Sequence, residues 1–473
     1  MIRSRFLRLW ILWSLLYLVL AVAGPNGLVP APVWPVISQH LLQARAWLGS
    51  DIEAPDPDGG PDRLVAVSPR LDVTPYFETR VVRDPREDSI VANLAVAART
   101  PEGELVPAQE VWGGSAAGRP GELICQVGFP LGPALLLLPL YALLGGALAT
   151  QWLGAILGGL AVAIMDRLMT DWTAVMGVGE GMPGANALAA LAGAGTLWLW
   201  IVPYGDTFLF AQVVGTTALA AALLLGWRQH PWAAGLVFGL AFASRPAMLG
   251  ALPLLLVLSV VRSPEVRPRL REIVARSAPV LMAALPFGIV TLVMNFLRFG
   301  SAREFGYSFM ILPSFLRMRL LEHGQLSWAY LARNLHAVGI QPPQLVHDQA
   351  GALVFPLLAS DPQGMGLLFV TPAFIALAAA LWVNGRRQTM FLATAWLSLA
   401  LVCLPGLFYY NTGWVQWGGR FLVDAWPMWL LLAALGLRRV PRGAAMFLIV
   451  VSVISNLWAA LLVVLRVWPG CCM

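Results

Sequence analysis

Residues 246–297 read PAMLGALPLLLVLSVVRSPEVRPRLREIVARSAPVLMAALPFGIVTLVMNFL, two apolar runs (246–261 and 277–297) with Arg262, Arg267, Arg269, Arg271 and Arg276 between them. A membrane-crossing helix needs about 20 mainly apolar residues, and arginine excess in a connection marks the cytoplasmic side. The stretch therefore predicts a helix that enters the cytoplasm and a second that leaves it.

Working outward, runs of the same character lie at 7–24, 149–167, 185–203, 207–226, 231–244, 365–384, 389–408, 422–437 and 443–465. Counting sides from the first arginine cluster puts Arg167 and Arg228 inside, with the further clusters Arg386/Arg387 and Arg438/Arg439/Arg442. Arg3, Arg5 and Arg8 before the first run give it the character of a retained signal anchor with its N-terminus inside. The expected fold is an all-α polytopic membrane protein of about eleven transmembrane helices. Residues 25–128 and 298–364 are large extracytoplasmic loops carrying juxtamembrane helices, and 409–421 is a short one. The same parity leaves 129–148 as a re-entrant or interfacial segment, since Pro130, Pro133 and Pro139 weaken a straight helix there. The organisation reads as a module over 1–297, a second loop over 298–364 and C-terminal helices over 365–473.

Composition agrees. Of 473 residues 58% are hydrophobic and 12% charged, against about 25% charged in soluble domains. All 31 basic residues are arginine, which excludes chemistry needing a Schiff-base or P-loop lysine. The net charge of +6 is scattered between apolar runs, so it does not indicate nucleic acid. No HExxH, Walker or paired CxxC motif occurs, and His40, His230, His323, His336 and His347 lack metal-ligand spacing. The sequence indicates no certain cofactor and leaves a divalent metal open.

Function should lie in the outer loops. The first holds fourteen of the 25 acids against eight arginines. Its opening SQHLLQARAWLG (38–49) places Leu41, Ala44 and Leu48 on one helical face and His40, Gln43 and Arg45 elsewhere, the pattern of a helix on the membrane surface. In YYNTGWVQWGGRF (409–421), two tryptophans and two tyrosines surround Arg420, with Asp424 following. Arg420 there either snorkels to lipid headgroups or binds a phosphate bidentately. Arg245, Asp206, Asn295, Arg298 and Glu304 stand at outer helix ends, where ionisable groups are functional candidates by default.

Five stretches, GFPLGPALLLLPLYALLGG (128–146), TLWLWIVPYGD (196–206), GLAFASRPAMLGALP (239–253), NFLRFGSAREFGY (295–307) and WVQWGGRFLVDAWP (414–427), resemble segments of the GT-C superfamily of polytopic glycosyltransferases, especially its protein-mannosyltransferase-like and aminoarabinose-transferase-like members. The resemblance implies an inverting glycosyltransferase in the bacterial inner membrane. It would move a sugar from a polyprenyl-phosphate donor to an acceptor at the extracytoplasmic face, with membrane lipids as surroundings. A first-loop carboxylate would act as base and basic residues would hold the leaving phosphate. In the family an acid opens the first juxtamembrane helix; here that place holds Val36, Ile37 and Ser38. Asp51, then Asp72, Asp84 and Asp88, are the substitutes for one base. Arg245, Arg298, Glu304, Trp417, Arg420 and Asp206 are the expected substrate-binding set. A lipid or oligosaccharide transporter, or a catalytically silent member of the same fold, stands as the alternative.

Overall fold

The computed structural model describes residues 2–23, 39–48, 65–67, 76–78, 95–99, 105–107, 123–126, 129–145, 148–178, 183–205, 207–261, 270–309, 314–361, 363–381, 386–413 and 416–465. The bundle comprises α1 (Ile2–Ala23), α2 (Gln39–Trp47), α3 (Gly132–Leu144), α4 (Thr150–Val175), α5 (Ala185–Ala194), α6 (Trp198–Ile201), α7 (Thr207–Trp227), α8 (Pro231–Ser244), α9 (Leu252–Val260) and α10 (Leu270–Phe299). It continues with α11 (Ser314–His323), α12 (Leu331–Leu335), α13 (Leu367–Val370), α14 (Arg386–Phe408), α15 (Trp426–Leu437) and α16 (Arg442–Val464). Short 3-10 turns at Pro246–Ala251, Pro372–Leu381 and Arg420–Ala425 lead into or extend these helices.

Each of the eleven apolar runs falls on a helix or a broken helix. Among the described residues seven are long and apolar enough to cross a membrane: α1, α4, α7, α10, α14, α15 with the turn before it, and α16. The runs at 185–203, 231–244, 246–261 and 365–384 are shorter or interrupted. These apolar helices are those of an integral membrane protein, and seven of them, among the described residues, have full crossing length. Residues 132–144 form a helix with Pro133 in its first turn, where its missing N–H costs nothing, and Pro139 inside it. At 13 residues this helix is below crossing length.

Packing between helices relies on small residues, as expected where apolar lipid gives no drive to bury apolar side chains. A Cβ on Gly159 of α4 would run into Ser14 and the Trp10 carbonyl, so glycine lets α1 lie against α4. Gly132 at the start of α3 has the same role against Ser244 at the end of α8.

The arginines sort by helix end. Arg5 donates to both Asp166 oxygens at 2.9 and 2.8 Å and to Asn186 Oδ1 at 2.7 Å. Arg167 and Arg228 both pair with Asp171 at 2.9 and 3.0 Å. Arg276 donates to Gln229 Oε1 and the Val260 carbonyl, and Arg438 to Thr173 Oγ1. All of these lie toward the C-terminal half of α4. Thr150, some 30 Å away by helical rise, donates to the Gly205 carbonyl at the opposite pole, which also holds Arg245, Arg298 and Arg420. These two sets of arginines thus stand at opposite ends of α4.

The loops contain more than helices. Described strands pair antiparallel as β1 (Val65–Val67) with β2 (Tyr76–Glu78), and as β3 (Ala95–Arg99) flanked by β4 (Leu105–Pro107) and β5 (Leu123–Gln126). In the second loop β6 (Gln344–His347) pairs with β7 (Leu353–Ala359). Apolar runs of three to seven residues between Pro, Gly and Asp are too short for helices, so an all-α description holds for the bundle and not for the loops. The second loop is tied to the end of α14: Asn334 Nδ2 donates to the carbonyls of Leu407 and Tyr409 at 3.0 and 2.7 Å, and Arg333 to that of Tyr410 at 2.8 Å.

Candidate functional site

Pro246 disfavours helical backbone at the residue before it, and Arg245 accordingly stands extended (φ −147°, ψ 98°) between α8 and the following 3-10 turn. From this break its side chain reaches Asp424. Nε lies 3.2 and 3.0 Å from the two carboxylate oxygens and Nη2 is 2.8 Å from Oδ2. Gly215 of α7 lets the Arg245 stem pass, since a Cβ there would sit 3.1 Å from Arg245 Cγ. One turn earlier on α7, Gln212 Nε2 donates to the Arg420 carbonyl at 2.7 Å and to Asp424 Oδ1 at 3.4 Å. Asp424 is 1% exposed. A carboxylate this deep is tolerable because it is paired and hydrogen-bonded at once.

The short loop before it is held by its own backbone needs. Gly413 and Gly418 have φ of 109° and 78°, and a Cβ on Gly413 would collide with Gln416. Buried Gln416 donates to the Gln363 and Thr412 carbonyls, both at 2.9 Å, and accepts from the Arg420 backbone N–H at 3.3 Å. Arg420 is so presented with its guanidinium carbon 5.0 Å from the Phe208 ring centroid and 5.4 Å from that of Phe421. The Arg245 guanidinium carbon also lies 5.7 Å from the Phe421 ring centroid. Phe208 stacks edge-on against Phe129 at 5.0 Å. The carbonyl of Phe129 accepts from Arg298 Nη1 at 3.3 Å, while Arg298 Nη2 donates to Asn295 Oδ1 at 2.9 Å.

Glu304 caps the turn that follows, accepting from the Gly306 N–H at 2.8 Å and the Ser308 hydroxyl at 2.8 Å. This holds Tyr307 in the field of Arg245, Asp424, Arg420 and Glu304 together. Burial, outweighing the two arginines, keeps the Tyr307 phenol above its ordinary pKa and hence protonated as a donor. Beside Arg420 a narrow apolar crevice of about 20 Å³, room for a water-sized group, lies between Val370, Phe374, Gly419, Leu422 and Trp426. Trp426 is fixed by stacking on Trp198 at 4.7 Å and by its Nε1 bond to Thr196 at 3.0 Å.

Of the expected substrate-binding residues, Arg245, Arg298, Arg420 and Glu304 come to one pole. Trp417 is 3% exposed and belongs to the hydrophobic core. Asp206, and the base candidates Asp51, Asp72, Asp84 and Asp88, lie outside the described residues. Among the described residues no group of three or more His, Cys, Asp and Glu could hold a metal ion. Sequence reasoning missed Gln212 and Tyr307, and it placed His40 and Gln43 on a face away from the packed one. Both are buried, with 0% exposure; α3 and α7 cover the Leu41 and Ala44 face of α2, while His40 meets the Phe129 ring and the Thr207 carbonyl. Heptad-like spacing identifies the apolar face of α2 but cannot reveal a second covering element.

No family model and no curated protein matches the chain. Among solved structures it is similar to the crystal structure of the Archaeoglobus fulgidus oligosaccharyltransferase tethered with an acceptor peptide, at 12% identity and a TM-score of 0.41, over 97% of this chain and 55% of that one. The chain thus spans about half the length of that protein.

Proposed function

We propose that the chain is a GT-C-type membrane glycosyltransferase that moves a sugar from a polyprenyl-phosphate donor to an acceptor at the pole bearing Arg245, Arg298 and Arg420, on the extracytoplasmic side of a bacterial inner membrane. The observation that carries this reading is convergence: the five stretches that resemble the family each send a residue to that pole. They contribute Phe129, Gly205, Arg245, Arg298 with Tyr307, and Arg420 with Asp424. In this reading residues 1–297 form the catalytic module, 298–364 the second loop and 365–473 the supporting helices.

The chemistry follows from charge. The acceptor oxygen attacks the anomeric carbon and loses its proton to the base, while the carbon–oxygen bond to phosphate breaks and its electron pair leaves with the lipid phosphate. Negative charge grows on that phosphate, and a guanidinium stabilises it without titrating. Arg420, whose guanidinium lies against the rings of Phe208 and Phe421, serves this role. Tyr307 adds a neutral donor. The base is a first-loop carboxylate, Asp51 ahead of Asp72, Asp84 and Asp88; Asp206 joins the substrate-binding set.

Purified full-length protein in nanodiscs, given radiolabelled polyprenyl-phosphate sugars and membrane acceptors, should transfer label. Translocation without transfer would make the protein a transporter instead. Binding with neither would make it catalytically silent.

A further inference from the structure

The broken helix over 367–381 is held by a neighbour as much as by itself. Pro372 disfavours helical backbone at the residue before it, and Thr371 stands at φ −136° and ψ 77° between α13 and the 3-10 turn that follows. Two bonds of a continuous helix, each from an N–H to the carbonyl four residues back, are missing there. The Ala373 N–H goes to Ser452 Oγ at 2.9 Å and not to the Phe369 carbonyl. The Phe374 N–H goes to the Thr371 carbonyl at 3.0 Å and not to that of Val370. Both freed carbonyls are taken up by α16: Ser455 Oγ donates to that of Phe369 at 2.9 Å, and Asn456 Nδ2 to that of Val370 at 2.7 Å.

Ser452, Ser455 and Asn456 stand at i, i+3 and i+4, one stripe of a spanning helix that is apolar past its first residue. Polar side chains inside such helices are costly and are functional candidates by default. Irregular backbone at membrane depth persists only where protein or a cavity surrounds it. A straight helix over 367–381 would need none of the three, so the break has a use on its other side.

That side is the seat of the turn that carries Arg420. Gly418, at φ 78°, leaves space that Val370 fills, since a Cβ there would lie 2.7 Å from Val370 Cγ2. Val370 and Gly419 border the same narrow crevice. A second hold lies two residues earlier, where Gln416 Nε2 donates to the Gln363 carbonyl and Gln416 Oε1 accepts from the Arg420 N–H. Residues 416–420 therefore rest on 363–370, and the last residue of that segment is fixed to α16. Val370 is 1% exposed and Asn456 0%, so water has no access to replace the bond between them.

We infer that Asn456, supported by Ser452 and Ser455, is a positioning residue for donor binding: through the Val370 carbonyl it fixes the floor on which residues 416–420 set the Arg420 guanidinium. Asn456 itself touches no substrate. This rests on the reading that Arg420 receives the phosphate of a lipid-linked donor, and it gives α16 a task in binding beyond support.

The test uses the full chain in nanodiscs with two probes, undecaprenyl phosphate and undecaprenol, which differ only in the phosphate. Wild type should bind the phosphate at least about tenfold tighter, the worth of a charge-assisted hydrogen bond. Asn456→Ala should reduce that ratio to below about threefold while leaving the affinity for undecaprenol within about twofold, which also reports that the variant is folded. Ser455→Ala, which removes one hydrogen bond from a side chain at the helix surface, should lower the ratio by a smaller factor and carries the test should Asn456→Ala not fold. A ratio kept at the wild-type value in the variant that folds, or an equal loss for both probes, would make the stripe a structural clamp only and overturn the positioning role. If wild type itself shows no preference for the phosphate, the assignment of Arg420 fails and the positioning role falls with it.

Discussion

Asp424→Asn removes one charge from the pair that closes the site while keeping the side chain's shape. Arg245 would then remain in its place with three hydrogen bonds weakened and its guanidinium, 16% exposed in the pair, without a counter-charge. Breaking a buried ion pair from one side costs about 3–5 kcal/mol. Asparagine can still accept from Gln212 and keep one contact with Arg245, which puts the expected loss near the lower end, about 3 kcal/mol. Unfolding in mixed micelles by titration with dodecyl sulfate measures it. The double variant Arg245→Met/Asp424→Leu removes both charges, and replacing a buried pair by apolar groups is often neutral or better. It should recover at least half of the stability lost in Asp424→Asn. A single variant within about 0.5 kcal/mol of wild type, or a double variant less stable than the single, would refute the claim that this pair locks α8 to the segment before α15.

Arg420→Ala should abolish most binding of bare undecaprenyl phosphate, whereas Arg386→Ala, in a cluster predicted to be cytoplasmic, should leave it within about twofold; equal losses by equilibrium binding would reduce Arg420 to a lipid anchor. The folded chain keeps His40 neutral down to about pH 3, while the unfolded chain protonates it near the ordinary value of about 6.5. The unfolded state therefore binds more protons between these values, so stability falls as pH drops from about 6.5 toward 3 and is unaffected by this group above 6.5. His40→Phe should flatten that part of the unfolding-versus-pH curve. Gly132→Val should cost about 1–3 kcal/mol by overpacking against Ser244 and the backbone of Ala243, seen as earlier unfolding in the same titration. Asp51→Asn should lower sugar transfer at least a hundredfold if Asp51 is the base; full retained activity in the transfer assay would pass that role to Asp72, Asp84 or Asp88.

What could be read from the residues is what the membrane penalises. An arginine at an apolar helix end costs enough to be meaningful where it stands, so Arg245, Arg298 and Arg420 announced themselves, and their inner counterparts fixed the side count. Pairings across long separations were not legible: Arg245 and Asp424 are 179 residues apart, and no local pattern links them. Gln212 stands in an apolar helix where no local pattern marks it, and only the fold brings it beside both Asp424 and the Arg420 carbonyl. The burial of His40 was hidden for the same reason, since the Phe129 ring and the Thr207 carbonyl that meet it come from distant parts of the chain. Glu304 was legible as a charged residue near the site, and its capping of Gly306 and Ser308 gives it a structural task that the charge alone does not suggest.

One wall of the bundle bears on how any lipid-borne molecule would arrive. Over its most apolar 18 residues α10 is only 17% buried, with Met282, Leu285, Ile289 and Phe296 turned outward, and its final turn carries Arg298. A molecule anchored in the bilayer can follow this flank to the charged pole without leaving the plane of the membrane. Encounter then becomes a two-dimensional search, governed by lateral diffusion and by the number of donors per unit area of membrane. Doubling the vesicle concentration at fixed surface density should leave the turnover of each protein unchanged, whereas doubling the mole fraction of donor in the same vesicles should raise it.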